Sequence, residues 1–104
     1  MQVGKASYYG PQRGGRRRTA SGAPLAPGAL TAASRTLPLG SRATVTDVAS
    51  GRSVRVVITD RGPYAKGRIL DVSRATAERL GMVQSGVATV SVELTALPAG
   101  TPAG

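Results

Sequence analysis

The segment that most constrains the fold is TDRGPYAKGRILDVS, residues 59–73. The residues leading into it, 53–59, alternate apolar and polar side chains, which is the period of a strand with one buried face. The chain then breaks at Gly62-Pro63 and Gly67, returns to an apolar pair, and meets a helix N-cap signal at Ser73. A strand, a glycine-rich turn, a second apolar run and a helix start are therefore predicted in immediate succession.

Two aspartates, Asp60 and Asp71, lie at the two ends of this turn, eleven positions apart. The chain has only five acidic residues, so two of them flanking one glycine-rich turn suggest a site. We expect the two carboxyl groups to lie on one face, close enough to share a ligand. The structural alternatives are a carboxylate at a helix entrance for Asp71 and a side chain that stabilises the turn for Asp60.

The core must form without phenylalanine or tryptophan, because the chain has neither. Val, Leu, Ile and Ala are left to fill it, and 104 residues allow one modest domain. Many β-branched residues, together with 14 Gly and 7 Pro, predict a small β-rich barrel or sandwich. The predicted elements are strands over Gly4–Tyr9, Leu30–Ala33, Arg42–Val48, Ser53–Thr59 and Ala88–Leu94, a helix over Ser73–Leu80, a loop over Gly10–Gly28, and a disordered tail over 97–104 after a domain of residues 1–96.

Local signals mark the helix and the turns. Ser73 is a favourable N-cap, and Gly81 directly after Leu80 is a typical glycine stop. Gly62 and Gly67, like Gly81, should occupy backbone conformations that are awkward for other residues.

The three aromatic residues are Tyr8, Tyr9 and Tyr64, and none falls on an alternating apolar face. Tyrosines left out of a core are free to stack against a ligand. The alternative for each of them is ordinary half-buried packing.

Composition excludes several kinds of chemistry. The chain has no His and no Cys, so metal sites built from these residues, thiol or imidazole catalysis, and a Ser-His-Asp triad are impossible. A net charge of +9 implies attraction to polyanions, either nucleic acid or an anionic cell envelope. No apolar stretch reaches transmembrane length and no signal peptide is apparent, so we expect a mature domain of a longer precursor.

The segments GKASYYG, TASG, LTAASRTLPLG, VTDVASGRSV, TDRGPYAKGRILDVSRATAERLGM and SGVATVSVEL follow one another in this order. In sequence and spacing they resemble the double-psi β-barrel domain of the rare lipoprotein A family, over Gly4 to about Leu94. The resemblance implies an all-β, six-stranded double-psi barrel with one short helix and a groove that binds peptidoglycan glycan strands. It also implies an exported, monomeric protein of the periplasm or cell envelope that needs no cofactor and reaches a membrane only through a lipid anchor.

Characterised members of that family are lytic transglycosylases, which cleave the MurNAc–GlcNAc linkage and leave a 1,6-anhydro end. The resemblance makes Asp60 the acid/base, and Asp71 matches the key acid of the related expansins. With these two catalytic candidates, the expected substrate contacts are Tyr8, Tyr9, Thr19, Ser34, Arg61, Tyr64 and Arg68.

The chain departs from the family pattern at three polar positions. The family usually has a glutamate after TASG, an aspartate three residues later and a histidine in LTAAHRTLP, where this chain has Ala23, Ala26 and Ser34. A lytic transglycosylase uses the sugar's own 6-hydroxyl as nucleophile, so one carboxyl group with a raised pKa can serve as acid and then base. Nearby Arg61 and Arg68 would lower that pKa.

Three functions therefore stay open. The first is a lytic transglycosylase that relies on Asp60 and Asp71, and the second is a non-catalytic, expansin-like module that binds glycan. The third, a basic nucleic-acid-binding domain, is permitted by the charge but supported by no recognised motif, so no nucleic-acid partner is expected.

Overall fold

The computed structural model describes residues 1–9 and 28–98. It contains six strands and one helix: β1 Gln2–Tyr8, β2 Thr31–Ser34, β3 Arg42–Asp47, β4 Ser53–Asp60, β5 Arg68–Val72, α1 Arg74–Leu80 and β6 Val87–Ala96. The predicted all-β, six-stranded fold with one short helix is confirmed. Most of the predicted loop, the last six residues of the predicted tail, and Thr19, Ala23 and Ala26 lie outside the described residues.

The strands form a closed barrel in the order β1-β5-β2-β4-β3-β6. Two of the strand pairs are parallel, β1 with β5 and β2 with β4, and the other pairs are antiparallel. Because β6 also pairs with β1, no edge strand remains among the strands described. Pairing also explains why β1 and β6 are longer than predicted, since Gln2 aligns with Val92 and Arg42 aligns with Ala96.

Small aliphatic side chains fill the barrel, as expected for a chain without Phe or Trp. The core consists of Ala6, Ala32, Ala43, Val45, Val54, Val56, Ile58, Leu70, Val72, Ala77, Leu80, Met82, Val90 and Val92. Within this set, Ala77, Leu80 and Met82 come from α1 and the residues after it, so the helix contributes its buried face to the core.

Two β-bulges, one in each parallel pair, set the register of the barrel. Between β2 and β4, Ala32 aligns with Ile58 but Ala33 aligns with Asp60, so Thr59 is the extra residue. Between β1 and β5, Lys5 aligns with Arg68 but Ala6 aligns with Leu70, so Ile69 is the extra residue. It again comes before the end of the strand that carries the aspartate. Each bulge changes which face the following residues present.

Helix α1 is capped as predicted. The Ser73 hydroxyl oxygen accepts the Thr76 N–H at 3.2 Å, and Gly81 has a left-handed backbone with φ of 76°. Gly62 and Gly67 also have positive φ, 128° and 81° respectively, so the expectation for all three glycines is confirmed.

Ser73 joins α1 to the barrel as well as capping it. Its hydroxyl donates to the Ala29 carbonyl at 2.8 Å and accepts the Thr31 N–H at 3.3 Å, and the side chain is buried.

We therefore expect Ser73→Ala to lower the free energy of unfolding by about 2 kcal/mol, since a cap and buried backbone partners are lost together. Chemical denaturation measures this, and Ser53→Ala, which removes an exposed hydroxyl, should change stability by less than about 0.5 kcal/mol. Equal losses in the two variants would contradict the role assigned to Ser73.

Candidate functional site

Four residues on adjacent strands form a row across the outer face of the barrel. Ser7 on β1 aligns with Asp71 on β5, Asp71 aligns with Ala33 on β2, and Ala33 aligns with Asp60 on β4. Residues aligned across neighbouring strands point to the same face. The two aspartates predicted to share a face are therefore brought to one row. The single methyl group of Ala33 separates them, and two strand spacings place their Cα atoms about 10 Å apart. We call this set the carboxylate row.

Asp71 is a half-buried carboxyl group with one defined partner. The Ser7 hydroxyl donates to Asp71 Oδ1 at 2.8 Å. Burial raises the pKa of Asp71 above its ordinary value, while the Ser7 hydrogen bond and the Arg68 guanidinium act in the opposite direction. Ser73, rather than Asp71, caps the helix, so Asp71 does not fill the structural role of a helix cap. A carboxyl group that is reluctant to ionise is suited to donate a proton.

Tyr9 follows β1 and lies close to both aspartates. Its hydroxyl forms a hydrogen bond with Thr31 Oγ1 at 2.6 Å. Burial is the main reason that the pKa of Tyr9 is raised, and the charges of Asp60 and Asp71 raise it further. The phenol is therefore a neutral hydroxyl beside two carboxyl groups at neutral pH, and it can donate a hydrogen bond to a ligand oxygen.

Asp60 follows the bulge residue of β4. The Thr59 hydroxyl donates to Asp60 Oδ2 at 3.4 Å. Without the extra residue Thr59, the alternation of β4 would place Asp60 on the same side as the buried Ile58. The bulge is thus what aligns Asp60 with Asp71.

Tyr8 points away from the carboxylate row. It aligns with the buried Val72, packs against the core, and donates its hydroxyl to the Val83 carbonyl at 3.1 Å. The Arg74 guanidinium lies 5.9 Å from the centre of its ring. Tyr8 and Tyr9 therefore take up opposite faces, as period-two geometry requires of neighbours in a strand.

The comparison with known protein families identifies the domain. The family model described as lytic transglycolase matches residues 1–92. The chain belongs to this lytic transglycolase family. It is 50% identical over 92 residues to the probable endolytic peptidoglycan transglycosylase RlpA of Nostoc sp., and 50% identical over 91 residues to the endolytic peptidoglycan transglycosylase RlpA of Pasteurella multocida.

These relatives are much longer proteins. Each alignment covers 88% of this chain but only 25% of the Nostoc protein and 31% of the Pasteurella protein.

Solved structures of lower identity support the fold alone. An expansin of Clavibacter michiganensis superposes with a TM-score of 0.73 at 23% identity, covering 94% of this chain and 52% of the expansin. The Streptomyces papain inhibitor does so with a TM-score of 0.69 at 22% identity, covering 90% and 93% of the two chains. The fold is the double-psi β-barrel.

At the position where the lytic transglycolase family was expected to carry histidine, Ser34 has a structural role. Its side chain is 1% exposed, and its hydroxyl oxygen accepts the N–H groups of Thr36 and Leu37 at 3.2 and 3.0 Å. The Arg61 guanidinium donates to the Ser34 carbonyl at 3.0 Å and also to the Leu37 carbonyl. Ser34 and Arg61 therefore hold the turn after β2, and the structure does not bring the Ser34 hydroxyl to the carboxylate row.

Arg68 lies at the margin of the row, and Tyr64 lies in the turn between β4 and β5. Tyr64 is 76% exposed, and Arg68 is half-buried and close enough to Asp71 to lower its pKa.

Sequence reasoning missed Ser7 and Thr31, which form hydrogen bonds with Asp71 and Tyr9 respectively. The alternation of the first strand would have indicated Ser7, because it lies two positions before Tyr9 and so on the same face.

No cluster of three or more potential metal-binding side chains occurs within residues 1–9 and 28–98. Over the same residues, no helix has the length and apolar character needed to span a bilayer.

The raised pKa of Asp71 has a consequence for stability. The folded state holds this proton to a higher pH than the unfolded chain does. The stability that this proton contributes is therefore complete below the pKa of Asp71 in the unfolded chain. It is lost as the pH rises through the pKa of Asp71 in the folded protein.

We expect Asp71→Asn, which keeps an oxygen for the Ser7 hydroxyl, to raise the melting temperature at pH 7, with a gain that shrinks toward pH 3. Scanning calorimetry at the two pH values tests this. Glu93→Gln removes the same charge from an exposed strand position and should give no comparable gain, and a lower melting temperature for Asp71→Asn at pH 7 would contradict the expectation.

Proposed function

We propose that this domain binds peptidoglycan glycan strands across the carboxylate row and cleaves them by lytic transglycosylation. The observation that carries the proposal is the alignment of Asp60 and Asp71 on either side of Ala33. The identity to proteins named endolytic peptidoglycan transglycosylases supports the choice of substrate. Peptidoglycan is a polymer of the cell envelope, so the domain acts there, after export.

The reaction needs one proton donor and one proton acceptor. Asp71, whose pKa burial raises, donates its proton to the glycosidic oxygen as the bond from that oxygen to C1 breaks. The 6-hydroxyl of the same sugar forms the new bond to C1, and its proton passes to Asp60. The products are a 1,6-anhydro sugar and a free hydroxyl on the leaving sugar. No water enters, so neither carboxylate has to activate one.

The spacing of the carboxylate row and one neighbouring hydroxyl group favour this assignment. A separation of about 10 Å between the Cα atoms, given by two strand spacings, leaves room for a sugar between the side chains. The neutral Tyr9 hydroxyl, held by Thr31, stands beside both carboxyl groups and can donate to a sugar oxygen. Glycan-strand contacts from Tyr64 and Arg68 complete the site, and the protein acts as a monomer without a cofactor.

A second candidate function is glycan binding without cleavage. Ala23 and Ser34 replace the glutamate and histidine of the family pattern, and the Ser34 hydroxyl is occupied by backbone N–H groups. Binding would then use the same surface, and the assay for cleavage separates the two functions.

Cleavage should depend on both aspartates. Incubation with denuded glycan strands, followed by mass spectrometry, should reveal 1,6-anhydro ends. Asp71→Asn and Asp60→Asn should each reduce their formation by about 10²–10⁴-fold, since an amide can neither donate nor recover the proton. Glu93→Gln, a matched change on β6, should cleave like the parent. Intact strands that still bind the parent protein would favour the binding module, and equal cleavage by all four proteins would contradict the assigned roles.

Tyr64 should contribute to binding rather than to folding. Because its ring is largely exposed, Tyr64→Ala should leave the melting temperature nearly unchanged. The lost ring contact should weaken glycan binding by about 1–2 kcal/mol, measured by calorimetry on an Asp71→Asn background that prevents turnover. Tyr64→Phe, which keeps the ring, is the control and should bind like the parent. Unchanged affinity in Tyr64→Ala would exclude stacking at this position.

A further inference from the structure

Beside the carboxylate row lies a second row of opposite charge. Lys5 on β1 aligns with Arg68 on β5, and the Arg35 guanidinium, just after β2, donates to the Arg68 carbonyl at 3.1 Å. We call Lys5, Arg68 and Arg35 the cation row. It crosses β1, β5 and the end of β2, the strands that also carry Ser7, Asp71 and Ala33.

The two rows are close neighbours on one surface. Lys5 and Ser7 are two residues apart on β1, which places their Cα atoms about 7 Å apart and their side chains on the same face. The Arg68 charge reaches Asp71, since it lowers the pKa of that carboxyl group. A ligand seated on the carboxylate row therefore passes within reach of the cation row.

Two cations of this row, Lys5 and Arg35, are accessible, and the third, Arg68, interacts with Asp71. Lys5 and Arg35 are exposed and Arg68 is half-buried. Within residues 1–9 and 28–98, no carboxylate forms an ion pair with Lys5 or Arg35. Arg61 donates to the Ser34 and Leu37 carbonyls and so holds a turn, whereas Arg35 donates one such hydrogen bond, to the Arg68 carbonyl. Guanidinium and ammonium groups carried by neighbouring strands suit an anionic ligand group.

We infer that the cation row binds a carboxylate carried by the glycan strand, so that the substrate is an acidic glycan rather than a neutral one. The inference rests on the proposed function and extends it. Two groups of peptidoglycan supply this chemistry: the lactyl carboxylate of muramic acid when the stem peptide is absent, and the carboxylates of the stem peptide when it is present. A neutral strand of the same backbone has neither, so recognition at the cation row selects against it.

The test compares strands that differ only in charge. Calorimetry on the Asp71→Asn background measures binding of denuded strands with free lactyl carboxylates and of the same strands after amidation of those groups. Peptide-bearing strands and neutral chito-oligosaccharides complete the series. The variants are Lys5→Gln and Arg35→Gln. The control is Arg55→Gln, an exposed cation on β4 about 15 Å along the strand from Asp60.

Each cation-row variant should bind the acidic strands about tenfold more weakly, the loss typical of one charge-assisted hydrogen bond. Amidated strands should bind the parent with a similar loss, and neither variant should weaken that binding further. If the two variants lose affinity only for denuded strands, the site binds the lactyl carboxylate. If they lose affinity for peptide-bearing strands, it binds a carboxylate of the peptide.

Other outcomes would overturn the inference. Equal affinity of the parent for denuded and amidated strands, together with no loss in either variant on peptide-bearing strands, would remove the carboxylate site while leaving the proposed function intact. An equal loss of affinity in Arg55→Gln would show that the overall positive charge of the protein, and not a local site, attracts the strands. A short DNA duplex that binds more tightly than the strands, and loses affinity in Arg35→Gln, would make the row a phosphate site. Absence of binding to every glycan would overturn both proposals.

Discussion

The register of the two parallel strand pairs is the constraint on which the site depends. In a strand, a shift of one residue moves every side chain to the opposite face. The bulge at Thr59 turns Asp60 outward while Ile58 remains in the core. The bulge at Ile69 aligns Leu70 with Ala6 in the core, and so leaves Asp71, the next residue, on the outer face. Both aspartates follow a bulge in a parallel pair, and both parallel pairs flank the contact between β2 and β5. The barrel closure that fixes these pairs therefore also fixes the distance between the carboxyl groups.

The barrel holds a partly buried carboxyl group, Asp71, whose ionisation lowers the stability of the folded protein. Burial raises the pKa of Asp71, which means that its charged form is disfavoured in the folded protein. A closed barrel filled by aliphatic side chains can hold such a group in place because its strands are paired on both sides. Ser7 and Thr31 supply hydrogen bonds to Asp71 and Tyr9, so the polar groups of the row are oriented by rigid strands rather than by loops.

Much of the fold could be predicted from local patterns, and less of the site. Alternation located β3, β4 and β6, and the Ser73 and Gly81 signals located the helix, because these depend on residues close in sequence. β5 was predicted only as a second apolar run after the turn. The strand order and the family could be predicted only from resemblance. The opposite directions of Tyr8 and Tyr9, the burial of Ser34 and the partnership of Ser7 with Asp71 depend on pairings between distant segments. A bulge has no distinct sequence signal here, so simple alternation would have turned Asp60 inward.

Burial and the cation row act in opposite senses on the pKa of Asp71. Desolvation favours the protonated form of Asp71, and the Arg68 charge favours the ionised form, with desolvation the larger of the two. An anionic group placed against Arg68 would offset that cation and add its own negative potential, and both effects favour the protonated form. A bound strand would also exclude water from Asp71, which strengthens the effect of burial. In this arrangement, an acidic glycan that occupies the cation row also favours the protonation state that cleavage requires.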